Sequence, residues 1–282
     1  MNELKRVAAI NDISGLGKCS LTVALPILSA AGVECAVIPT AVLSTHTGGF
    51  DDFTYLDLTD EILPIASHWA SLGLKFDSVY TGYLGSIKQV EIVLNAVKKL
   101  KSDNTLLLVD PVMADAGKLY ANFDKSFPQE IKKLCELADI IIPNITEACF
   151  LTDTEYKSGS HSKEYIENLI EKLKTVCDKK IVLTGVHFDE QNLGCACFDN
   201  ETGKIEYTLS REIEGFYHGT GDVFGSTLLG ALMNDKSLKC ATEIAMNVVV
   251  NSIKRTKQAG TDVRFGVRFE QELPNLIKLL DK

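Results

Sequence analysis

Short apolar runs recur along this chain at Val7–Ile10, Val33–Pro39, Phe76–Thr81, Thr105–Val109, Ala138–Pro143 and Lys180–Leu183, and most intervals between them carry helical periodicity. Helices are expected over Lys18–Ala31, over Thr59–Leu72 with Trp69 in the core, from Ser86 to Lys101, and between Lys163 and Val176. Strands separated by helices cannot pair as hairpins, so they lie parallel and are joined by right-handed crossovers. Thr105–Val109 contains no charge, the pattern of a central strand covered on both faces. The expected architecture is a single α/β domain over residues 1–282: a doubly wound, mostly parallel sheet flanked by helices. No internal repeat, low-complexity tract or linker divides it, and 282 residues at 45% hydrophobic content can bury one large core. Leu193–Phe198 and Lys204–Leu209 enclose Asp199-Asn200-Glu201-Thr202-Gly203 and read as a hairpin. Two helices close the chain, Ser237–Lys257 stopped by Gly260, and Phe269–Leu280.

In open α/β sheets ligands bind beyond the carboxyl ends of the strands. Thr47, Asp110, Asn144 and Thr184 each come after an expected strand, which places them along one edge. The densest local signal joins that edge from a helix. In Gly215-Phe216-Tyr217-His218-Gly219-Thr220-Gly221-Asp222-Val223-Phe224-Gly225-Ser226 a glycine-rich turn runs into apolar helical periodicity starting near Gly221 or Asp222. Backbone N–H groups at such a start have no partner inside the helix and, with its dipole, favour an anion. Asp222 alone reads as an ordinary acidic cap. Glycines at 219, 221 and 225 ask for more, because each costs backbone entropy, and close approach of a ligand to the main chain would account for them. A carboxylate beside an anion hole points to transfer of a charged group, with Asp222 as general base.

Other stretches divide between structural and chemical readings. Gly17-Lys18-Cys19-Ser20 resembles the end of a P-loop, yet Asp12 stands where the first glycine belongs and Cys19 replaces the magnesium-binding hydroxyl. Asn144 and Glu147 have the spacing of a helix capping box. Ser44-Thr45-His46-Thr47-Gly48-Gly49 can be a loop held by hydroxyls, and Tyr83, between glycines after a strand, can be a packing ring. Net charge is −9 without a basic cluster, which argues against nucleic acid or an anionic membrane surface as partner, and no run is apolar for the length of a membrane span. Eight scattered cysteines without a C-x-x-C read as reduced, mostly buried thiols of a cytoplasmic protein.

Gly219-Thr220-Gly221-Asp222 resembles the signature of the ribokinase-like superfamily, and the likeness runs over almost the whole chain, nearest to the pyridoxal/pyridoxamine kinases. The resemblance implies ATP-dependent phosphorylation of the 5′-hydroxymethyl group of a B6 vitamer (pyridoxal, pyridoxamine or pyridoxine). Asp222 would be the base, with Gly219, Thr220 and Gly221 holding the moving phosphate. It implies that Asp12 or Ser14 lies near the pyridine ring, that Thr47 and His46 of a Ser-x-His-Thr segment meet the substrate, and that Tyr83 contacts it. Asp110, in Asp-Pro-Val-Met, and Glu147 would lie by magnesium, and Asp115, Tyr120, Asn144, Thr184 and Gly221 by the nucleotide. A potassium-type ion is left open. There is no room between the first two strands for the β lid of some relatives, so a lidless homodimer is expected. The alternatives are a hydroxymethylpyrimidine kinase, a P-loop enzyme dependent on Lys18, and a non-catalytic binder of pyridoxal phosphate.

Overall fold

The computed structural model describes residues 4–281. Its first half runs β1 (Arg6–Ser14), α1 (Leu21–Ala30), β2 (Glu34–Leu43), β3 (Tyr55–Asp57), α2 (Thr59–Ser71), β4 (Ser78–Thr81), α3 (Ile87–Leu100) and β5 (Leu106–Val109). A small hairpin of β6 (Ala114–Asp115) and β7 (Lys118–Leu119) precedes α4 (Phe127–Cys135), β8 (Ile140–Ile141), α5 (Ile145–Leu151) and α6 (Lys163–Leu173). The chain ends with β9 (Lys180–His187), β10 (Asn192–Asp199), β11 (Lys204–Arg211), α7 (Thr220–Met233), α8 (Leu238–Ala259) and α9 (Leu273–Leu280).

The main sheet has the order β11-β10-β9-β8-β5-β4-β1-β2-β3. From β9 to β2 every pairing is parallel, while β10 and β11 at one edge and β3 at the other join through antiparallel pairings. This is the doubly wound, mostly parallel sheet expected from the alternation of elements. Winding reverses between β1 and β4, which opens the crevice where such sheets bind ligands.

Alternate side chains of the central strands face opposite layers. Val79, Leu107 and Ile141 join the core under α2 to α6, whereas Tyr80, Leu108 and Ile140 join the core under α1, α7, α8 and α9. Helix α7 is buried along nearly its whole length and packs on α1, where Gly230 lies so close to Ala31 that a Cβ would fall 2.8 Å from its methyl. The starts of α1 and α7 are thereby held beside the crevice.

Several element boundaries differ from those read off the sequence. Strand β1 continues through Asp12 to Ser14, because the extension of β2 to Leu43 gives it partners at Ile13↔Val42 and Ser14↔Leu43. Helix α1 begins at Leu21 and not Lys18, since Lys18 and Ser20 have φ of 57° and 58°, outside helical space. Strand β9 runs past Thr184 to His187 because antiparallel β10 accompanies it. The segment expected to be helical from Phe269 opens instead as a 3₁₀ turn over Phe269–Glu272, and α9 starts at Leu273, with Pro274 in its first turn unable to donate to the turn before it. All eight cysteines are unpaired, five of them buried. Among the described residues no helix is long and apolar enough to cross a membrane.

Candidate active site

Gly219 caps α7 with φ 78°, and a Cβ there would stand 2.2 Å from the carbonyl oxygen of Lys18. It is therefore required twice, for its left-handed backbone and for its close approach to the Gly17–Ser20 turn. Gly225 is hemmed in by the Tyr80 hydroxyl, 2.7 Å from where a Cβ would be. Gly221 is exposed, with nothing within 4 Å of its Cβ position. Of the three glycines, only Gly221 leaves room for a ligand, and the other two serve internal packing. Thr220, Gly221 and Asp222 form the first turn, whose amides lack partners within the helix.

Asp222 stands in that turn, partly buried. Burial pushes its carboxyl up to about 7, a backbone hydrogen bond from Ser20 opposes this, and the charge of Asp12 adds to it. Asp12 is buried at the end of β1, its Oδ1 accepting from Ser20 Oγ at 2.5 Å and its Oδ2 from Ser14 Oγ at 2.9 Å. Desolvation raises Asp12 too, against both serines and His46. The half-buried Cys19 thiol is pushed upward by burial and then by Asp222 and Asp12.

His46 is buried and clasps three loops. Its Nε2 lies 2.6 Å from the Arg264 carbonyl oxygen, and the Gly48 N–H donates to its Nδ1 at 3.1 Å, an arrangement that fits a neutral ring with the proton on Nε2. Its ring also lies 4.7 Å from that of His218 and 5.0 Å from Phe50. Thr47 is exposed and makes no hydrogen bond among the described residues. Tyr83 lies past β4, accepts from Asn122 Nδ2 at 2.8 Å, and has its phenol pushed up to about 12 by burial.

A second group of carboxylates sits beyond β5 and β8. Asn144 and Glu147 form a complete capping box for α5, with N–H···O distances of 2.9 Å in each direction. Glu147 Oε1 also accepts from Met113 N–H at 3.1 Å, and Asn144 Nδ2 donates to the Ala114 carbonyl at 2.8 Å, bracing the β6–β7 hairpin. Asp110 is buried after β5, raised by desolvation first and then by the charges of Glu147 and Asp222. Glu147 is raised by burial despite its N–H bonds. Asp115 is exposed and accepts from Ala116 N–H at 2.7 Å, and the phenol of Tyr120 is pushed up by burial and by the surrounding carboxylates. Thr184 does not end its strand. It bridges to Asn144 and hydrogen-bonds the Pro143 carbonyl, level with the edge where the other groups collect.

Asp12, Ser14 and Asp222 thus share one cluster, and Asp110 lies within electrostatic reach of both Asp222 and Glu147. Lys18 turns away and pairs with Glu270 at 3.0 Å, which removes the P-loop reading. Lys18→Ala is accordingly expected to leave kcat/KM within about twofold, since exposed ion pairs contribute about 0–1 kcal/mol. A steady-state assay checks it, and a hundredfold loss would restore a role for Lys18 in phosphate binding. Two neighbours of the site escaped the sequence reading. Tyr80 is fully buried, its unpartnered hydroxyl against Gly225 and in electrostatic reach of Asp110 and Asp222. Ser20 links Asp12 to the start of α1. No local pattern marks it, because its hydroxyl turns to Asp12 and not to the first turn of α1.

A family model described as phosphomethylpyrimidine kinase matches residues 25–265. Pyridoxal kinase of Dictyostelium discoideum is 30% identical over 195 residues, 64% of this chain, and pyridoxal kinase of Arabidopsis thaliana is 31% identical over 204 residues, 67% of it. The aligned stretches span 62% and 63% of those relatives' own lengths, a little under two thirds. Among solved structures, a Bacteroides thetaiotaomicron protein assigned to the phosphomethylpyrimidine kinases and crystallised with pyridoxal superposes with a TM-score of 0.90 at 37% identity, covering 97% of this chain and 96% of that one. Pyridoxal kinase of Lactobacillus plantarum superposes equally, with a TM-score of 0.90 at 31% identity and 98% coverage of both chains. The chain belongs to the phosphomethylpyrimidine kinase family, within the ribokinase-like fold that its pyridoxal kinase relatives share.

Proposed function

We propose that this chain transfers the terminal phosphoryl group of ATP to the 5′-hydroxymethyl group of a B6 vitamer. The observation that carries the reading is Asp222 at the mouth of α7, beside first-turn amides that Gly221 leaves open to a ligand. The ionised carboxylate accepts the hydroxyl proton as oxygen attacks phosphorus, and the amides of Thr220, Gly221 and Asp222 stabilise charge on the transferring group. Positioning and electrostatics carry most of such a reaction. Asp12 and Ser14, at the end of β1 where the sheet reverses its winding, hold the ring side of the substrate, with Tyr83 and Thr47 along its border. Asp115, Tyr120, Asn144 and Thr184 lie toward the nucleotide, and His46 acts by holding the loops together.

The residues present fit a magnesium ion. The buried Asp110 carboxyl makes no hydrogen bond among the described residues, while both Glu147 oxygens already accept N–H groups, so Glu147 would act through water. Among the described residues no three His, Cys, Asp or Glu side chains form a complete cage, in keeping with a hard cation that keeps waters and takes phosphate oxygens. Bound beside Asp110, with Glu147 behind it, such an ion would offset the charge of the triphosphate. A homodimer and a reducing, cytoplasmic setting complete the reading; the eight unpaired thiols support the latter.

The description of the matching family model favours one second reading, phosphorylation of a hydroxymethylpyrimidine. An ATP-coupled assay with pyridoxal, pyridoxamine, pyridoxine and hydroxymethylpyrimidine separates the two. The vitamers are expected to give the higher kcat/KM, and turnover of the pyrimidine alcohol alone would replace the first reading with the second.

A further inference from the structure

Ser20 occupies the N-cap of α1 but does not cap it. Its side chain makes no bond to the first turn of the helix and instead gives its hydroxyl to Asp12 Oδ1 at 2.5 Å. Its backbone lies at φ 58° and ψ −131°, a conformation that a residue with a Cβ rarely adopts and that costs about 1–3 kcal/mol. Such strain persists where the surroundings over-determine it. Here they include the carbonyl of neighbouring Lys18 pressed against Gly219, and the main chain of Gly17 pressed against Gly266. In this pose its hydroxyl reaches Asp12, and the turn that carries it packs through the Lys18 carbonyl on Gly219, the N-cap of the helix that bears Asp222.

We infer that Ser20 is a positioning residue that ties Asp12, on the substrate-ring side, to the turn packed on the start of α7, and so fixes Asp12 relative to Asp222, the base. The inference rests on the reading of Asp222 as base, but its structural content is the bridge itself. A serine serving only the helix would turn its hydroxyl to the amides of α1, and one serving only the turn would be better replaced by glycine.

The bridge has an electrical consequence. The other titratable groups facing the pair are His46, Cys19, Tyr55 and Tyr83 near Asp12, and Tyr80, Tyr120 and Asp110 near Asp222. The thiol and phenols are pushed upward and His46 downward, while burial raises Asp12 and pushes Asp222 up to about 7. The Ser20 hydroxyl favours the ionised form of Asp12, and the charge of Asp12 in turn raises Asp222. Loss of the hydroxyl therefore moves the two carboxyl groups in opposite directions. Asp12 keeps its proton to higher pH, and Asp222, relieved of that charge, loses its proton at lower pH.

The test is a carbon-13 NMR titration of the aspartate carboxyl groups in the whole folded chain, in wild type, Ser20→Ala and Ser20→Gly. Ser20→Gly removes the hydroxyl while fitting the left-handed backbone, so it stands in if the alanine variant folds poorly. In both variants the Asp12 titration is expected to move up and that of Asp222 down. With the vitamer as substrate, kcat should fall by about 10-fold to 10²-fold at unchanged KM for ATP, as for a misplaced reacting group. Unmoved titrations in the folded variants would overturn the inference. Absence of vitamer turnover in wild type would instead refute the proposed function, since the titration needs no turnover.

Discussion

Asp222→Asn is expected to lower kcat by about 10²–10⁴-fold, with little change in KM for ATP. The amide keeps the shape of the side chain but cannot accept the hydroxyl proton. Because burial pushes the Asp222 carboxyl up to about 7, the wild-type kcat should rise with pH through about 7 as the base ionises, and this limb should vanish in the variant. Stability distinguishes lost chemistry from lost folding. A carboxyl whose folded-state value lies above its ordinary 3.8 favours the fold at low pH, and that contribution is lost as pH rises through about 7. Asparagine carries no such charge to bury, so the Tm of the variant above pH 7 should equal or exceed that of wild type. Near-normal turnover with the acid limb intact would assign the proton transfer to another group.

The second large effect is expected at Gly219. Alanine there meets two obstacles, a backbone at φ 78° and a Cβ 2.2 Å from the Lys18 carbonyl oxygen. A neighbouring carbonyl in a tight turn cannot rotate away like the tip of a long side chain. The start of α7 must therefore part from the Gly17–Ser20 turn, which carries Ser20 and its bond to Asp12. Gly219→Ala should lose about 1–3 kcal/mol of stability in urea unfolding. Its kcat should fall by about 10²-fold, the scale of a 1 Å misplacement of reacting groups. By contrast, a Cβ at Gly221 would meet no neighbour within 4 Å, so Gly221→Ala should leave stability nearly unchanged and weaken phosphate approach. Equal stability losses at the two positions would contradict the distinct roles assigned to these glycines.

Much of this fold was legible in the sequence because its central strands are uncharged and its helices strongly periodic. Thr105–Val109 announced a strand buried on both faces, and the structure places Leu106–Val109 in the middle of the sheet. Asn144 and Glu147 announced their capping box by spacing alone. Gly260 ends α8 in a left-handed conformation as its position suggested. Elements set by tertiary pairing were not legible. Strand β3 is three exposed residues, Tyr55–Asp57, that exist as a strand only because β2 extends far enough to pair with them. The β6–β7 hairpin is two residues on each side, too short for any alternation to show.

The site divides along the same line. Asp222 and its glycines stood out because a helix start must place them together. The bond from Ser20 to Asp12 joins residues eight apart across a turn with two non-glycine residues at positive φ, a geometry that periodicity does not encode. The roles of Gly219 and Gly225 were also hidden. Sequence shows that a glycine costs entropy, but only the fold shows whether its missing Cβ makes way for a ligand or for the chain's own atoms.

The most direct measurement is phosphorus-31 NMR of the product formed from ATP, magnesium and pyridoxal by the wild-type chain and by Asp222→Asn. Wild type should yield ADP and an equal amount of a phosphate ester on the 5′-hydroxymethyl carbon, with the variant trailing by at least about 10²-fold. Hydrolysis of ATP without ester, or ester formed equally fast by both proteins, would contradict a kinase built around Asp222.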